Sequence, residues 1–81
     1  MKFLQYHVSV SRDAETSQVV AEIPTLQIAD YGKDLSESLN HLEEMLRFHL
    51  ECLQAEGKPI PEERFSEEGF YLRVKLPADA A

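Results

Sequence analysis

The sequence predicts an α+β fold in the order β-β-β-α-β: a four-stranded mixed sheet of spatial order 3-2-1-4, with one long helix packed on one face. Three observations predict it. Residues 3–12, FLQYHVSVSR, alternate apolar and polar side chains, and so do residues 70–76, FYLRVKL. Between Asp34 and Gly57 no glycine or proline interrupts a run whose apolar residues recur three and four apart. A chain of 81 residues, 43% of them hydrophobic, is enough for one core, so residues 1–81 read as a single domain.

In the first strand Leu4, Tyr6, Val8 and Val10 fall on one side, and Gln5, His7, Ser9 and Ser11 on the other. The polar stretch DAETS turns the chain, and QVVAEI, residues 18–23, forms the second strand with Val19, Ala21 and Ile23 inward. Pro24 has no amide to offer the ladder and ends that strand. A shorter third strand, LQIADY, points Leu26 and Ile28 inward, after which Gly32 is expected to turn the backbone.

Asp34 can accept a hydrogen bond from the free amides of a helix start, and Glu37 stands three residues later as its reciprocal partner. The helix therefore begins at Leu35 and runs to about Glu56. There Gly57 suits the left-handed position after a helix end, and Pro59 and Pro61 block continuation. Leu35, Leu39, Leu42, Leu46, Leu50 and Leu53 form one narrow stripe that faces the sheet. His41, Met45, Phe48 and Cys52 form a second stripe on its flank. Either residues 59–65 fold back over that flank, or it meets a partner or a second subunit, a role that suits methionine and phenylalanine.

An acidic loop, EERFSEEG, leads to the last strand, with Phe70, Leu72, Val74 and Leu76 inward; Pro77 ends it and leaves a frayed tail. A right-handed crossover through the helix would lay this strand beside the first and parallel to it. The opposite sheet face, with Phe3, Gln5, His7, Val20 and Tyr71, has no evident cover.

Fifteen acidic against eight basic residues give a net charge of −7, which repels phosphate backbones and anionic lipids and attracts basic proteins. Neither nucleic acid by itself nor a membrane is an expected partner. The single cysteine, Cys52, cannot form an internal disulfide, and no apolar leader or membrane span is present, so a cytoplasmic location is expected. Self-association into a dimer or tetramer would supplement so small a core.

Catalytic chemistry finds little to work with. His41 and His49 lie roughly 12 Å apart along a helix and cannot share an ion; His49 with Cys52 supplies only two ligands. Cys52 as a nucleophile would need a base and a field that favours the thiolate, whereas Glu51 and Glu56 are its acidic neighbours. The pairs Glu43-Glu44, Glu62-Glu63 and Glu67-Glu68 read as solvated charge. Phosphate loops, hydrolase elbows and basic recognition helices are absent. No enzyme activity, metal or cofactor is therefore expected. Tyr71, Arg73 and Lys75 put aromatic and basic groups on one strand face, and the candidate partner-binding residues are Met45, Phe48, Cys52, Tyr71 and Arg73.

A strand pair ending VAEIP, the GKDLSESL lead into a leucine-rich helix, and the GKPIP exit together resemble the HicB-like antitoxin family. The residues that carry the resemblance are Val20, Ala21, Glu22, Ile23, Pro24, Gly32, Leu35, Glu37, Leu39, Glu56, Gly57, Ile60 and Pro61. Where the family often has Pro-Gly-Cys, this chain has Leu26-Gln27-Ile28. The resemblance implies a partial ribonuclease-H-like fold without a nuclease's carboxylates. It also implies a partner, a small basic HicA-type toxin that cleaves messenger RNA and is neutralised by direct binding. No DNA-binding domain is expected after the last strand. A self-assembling structural protein of the same fold, with no toxin partner, is the alternative.

Overall fold

The computed structural model describes residues 3–63 and 69–75. Within them the chain forms β1 (Phe3–Arg12), β2 (Val19–Ile23), β3 (Ile28–Gly32), α1 (Leu35–Ala55) and β4 (Phe70–Lys75), and the sheet order is β3-β2-β1-β4. The order of elements and of strands agrees with the sequence reading. The acidic stretch at residues 64–68, the proposed cover by Phe65, the strand end at Leu76 and Pro77 and the tail lie outside the described residues.

One expectation is corrected: β4 pairs with β1 antiparallel, Phe3 opposite Lys75 and Val8 opposite Phe70, so the sheet is wholly antiparallel and not mixed. The cause lies in the connection. The helix spans about 31 Å and β2 only about 17 Å, so α1 runs back along β3 and well past the β2–β3 turn. Leu46 and Leu50 in its far half are buried in one cluster with Leu4, Tyr6 and Val74. Residues 57–63 then return along β1: the Tyr6 hydroxyl donates to the Pro61 carbonyl at 2.6 Å, and the His7 amide to Glu63 Oε1 at 3.1 Å. Glu63 thus stands at the middle of β1, and β4 begins opposite Val8 and ends opposite Phe3. A direct crossover would have given the parallel pairing; this return path reverses it.

The same path repairs the ladder where β2 ends. Ser9 faces Glu22, and continuing that register puts Pro24 opposite His7. Pro24 has already entered the β2–β3 turn, residues 24–27, which closes through Gln27 in the left-handed region at φ 57°. Glu63 Oε1 takes the orphaned His7 amide and also accepts from Thr25 Oγ1 at 2.7 Å, tying connection, strand and turn together. This turn also moves the start of β3 to Ile28, two residues later than expected, with Leu26 buried inside the turn.

Leu42, Leu46 and Leu50 are fully buried, with Leu39 and Leu53 packed against the same core, so the leucine stripe faces the sheet as expected. Leu35, in the first turn, is exposed. In its place Ser38 enters the core and donates its hydroxyl to the Leu35 carbonyl. Above Val8, β1 has no described neighbour on the β4 side, which leaves Val10 and Phe70 exposed although both follow the inward register.

Both helix ends match their sequence signals. Asp34 Oδ1 accepts from the Glu37 amide at 2.8 Å, while Glu37 Oε1 reaches the amide of Lys33, one residue before the cap. At the far end Lys58 N–H bonds to Leu53 O and Gly57 N–H to Gln54 O, a Schellman arrangement with Gly57 at φ 69°. Gly32 is needed for a different reason than the one expected. It does not adopt a positive φ; a Cβ there would sit 2.6 Å from the Ser38 amide nitrogen, so glycine lets the last residue of β3 touch the first turn of α1.

Candidate partner-binding surface

The helical spacing of His41, Met45, Phe48 and Cys52 places them on the flank of α1 that overlooks β3, the edge strand. Phe48 is 67% exposed, while Met45 and Cys52 are half-buried. The described part of residues 59–65 does not cover Phe48. It runs along β1, where Ile60 packs on the core and Pro61 and Glu63 bond as above.

Between this flank and β3 lies an open groove of about 330 Å³, lined by Asp30, His41, Glu44, Met45 and Phe48. Asp30 was not among the residues singled out from the sequence, and Glu44 was read there only as solvated charge. The signal for Asp30 was its place in β3, two residues after inward-facing Ile28, where an apolar residue would ordinarily stand. Glu44 lies one turn before Phe48, on the flank already recognised as apolar.

The β3 edge in this groove is closed to another strand at Tyr31. Its amide donates to Asp30 Oδ1, and its carbonyl accepts from the Nδ1–H of His41, both at 2.8 Å. That carbonyl raises the imidazole pKa above its ordinary value, assisted by the negative charges of Asp30, Glu37 and Glu44. The groove is thus apolar at Met45 and Phe48 and electronegative at its rim.

Tyr71 and Arg73 are placed elsewhere, on the sheet face opposite α1 and on the other edge strand. The Tyr71 ring meets His7 edge-on with centroids 5.5 Å apart, and the Arg73 guanidinium lies 4.4 Å from the centre of the Phe3 ring. The structure therefore joins Met45 and Phe48 in one groove, puts Cys52 one turn farther along the same flank, and separates Tyr71 and Arg73 from them. Lys75 shares the Arg73 face, so the two surfaces differ in charge as well as position.

Among the described residues no group of three or more histidine, cysteine, aspartate or glutamate side chains could hold a metal ion, and no helix is long and apolar enough to cross a membrane. No family model, characterised protein or solved structure matches this chain.

Proposed function

We propose that this chain is an antitoxin-like protein-binding module of the HicA/HicB type, which neutralises a small basic RNA-cleaving toxin in the cytoplasm by binding it directly. The observation that carries the reading is the exposed Phe48 beside an acidic groove, in a protein of net charge −7. Complementary charge speeds the encounter with a basic target, and a large aromatic side chain at the centre of a contact supplies much of its binding energy. The strand order is the one read from the sequence, while the antiparallel β4 departs from the mixed sheet that the crossover argument predicted. The surface chemistry therefore carries more of this reading than the topology does. Binding, not catalysis, is the role, and covering the toxin's RNA surface would be enough to inhibit it.

The test is co-expression with the small basic protein encoded by the adjacent reading frame. Relief of that protein's toxicity, with a stable complex on size-exclusion chromatography, is the expected result. A toxic neighbour that this chain neither binds nor silences, or the lack of any small basic neighbour, would overturn the reading. The second reading, a self-assembling dimer or tetramer of the same fold, rests on the same exposed Phe48.

A further inference from the structure

The groove beside Phe48 combines three properties that together specify an occupant. Met45 and Phe48 offer an apolar wall and an aromatic face, and Asp30 and Glu44 offer two carboxylates from two different elements. The β3 edge is closed at Tyr31 by the Asp30 side chain and His41, so an added strand has no free backbone pair to bond there. The lining suits instead a side chain long enough to lie on Met45 and cationic at its end.

We infer that this groove takes an arginine side chain of a basic partner protein, an inference that rests on the binding reading above and names the chemistry of its contact. The planar guanidinium can stack on the Phe48 ring while it donates to carboxylates on both sides, and its methylene stem covers Met45. A volume of about 330 Å³ is at the small end for a ligand site and suits one long side chain better than a folded segment. A second copy of this chain is the wrong occupant. A symmetric contact sets a patch against itself, which would gather Asp30 and Glu44 of both copies, four carboxylates, into one interface.

The probe is a capped hexapeptide, Gly-Leu-Arg-Leu-Arg-Gly, titrated into isotopically labelled protein and followed by amide chemical shifts. Two matched peptides carry citrulline or lysine in place of arginine. Saturable shifts confined to the neighbourhood of Asp30, His41, Glu44, Met45 and Phe48 are expected. Binding should weaken roughly tenfold with citrulline, and by a similar factor in the Glu44→Gln and Phe48→Ala variants, both at solvent-facing helix positions that leave the fold intact. Lysine should bind more weakly than arginine because it cannot stack. Shifts that cluster instead on the Tyr71 and Arg73 face would overturn the groove while leaving a basic partner in place. Equal binding of the citrulline peptide would remove the cation from the account. No saturable response to any of the three peptides would reject the groove, and relief of toxicity in the co-expression assay would then decide the broader reading separately.

Discussion

At the residue scale two positions carry more than their sequence context suggests. Gly32 reads as a turn residue, yet the structure uses it for contact: a Cβ would meet the Ser38 nitrogen at 2.6 Å and Glu37 Cβ at 2.8 Å. Gly32→Ala should therefore destabilise the protein by about 1–3 kcal/mol, measured as a lower urea midpoint with little change in slope. A pattern of residue types cannot reveal this, because glycine for torsion and glycine for proximity look alike in one sequence. His41 is the second case. The Tyr31 carbonyl and the surrounding Asp30, Glu37 and Glu44 raise its pKa in the folded state, so folding favours the protonated ring. Its stabilisation is fully present below the ordinary value of 6.5 and is lost as pH rises through the raised folded value. The difference in thermal midpoint between wild type and His41→Gln should accordingly be largest in mild acid and shrink toward alkaline pH; a difference that grows with pH would contradict the assignment.

At the element scale the helix was the most legible part. Its start at Leu35 follows from Asp34 and Glu37, its end from Gly57, and its buried side from Leu42, Leu46 and Leu50, because capping and periodicity are local properties. The direction of β4 was not legible. It depends on residues 57–63 running back along β1, a long-range arrangement set by the Tyr6–Pro61 and Glu63–His7 hydrogen bonds, whose partners are more than fifty residues apart. Burial, aided by the nearby negative charges of Glu62 and Glu63, pushes the Tyr6 hydroxyl up from 10.0 to about 12. The folded state thus holds its proton longer than the unfolded chain, and stability should fall by roughly 2–3 kcal/mol between pH 10.0 and about 12. Tyr6→Phe should cost about 1 kcal/mol at neutral pH through loss of the bond to Pro61. It should also remove most of that alkaline decline, which a pH series of urea titrations would measure.

At the scale of the whole molecule, net charge and the uncovered flank were readable from composition and helical spacing, whereas the groove was not. It exists because β3 is an edge strand and because Asp30, two residues after Ile28, carries a charge on the side that meets the flank of α1. The sheet also separates what the sequence had grouped: Arg73 and Lys75 lie on the opposite face, while the electronegative groove opens beside Phe48. A basic partner fits the second surface and is repelled by the first. The central claim is that the Phe48 flank is kept open for such a partner and is not the contact between copies of this chain. Light scattering on the purified protein and on Phe48→Asp tests it most directly. The account predicts the same molar mass for both, whatever the oligomeric state; a smaller mass for Phe48→Asp alone would identify the flank as a subunit interface and contradict the claim.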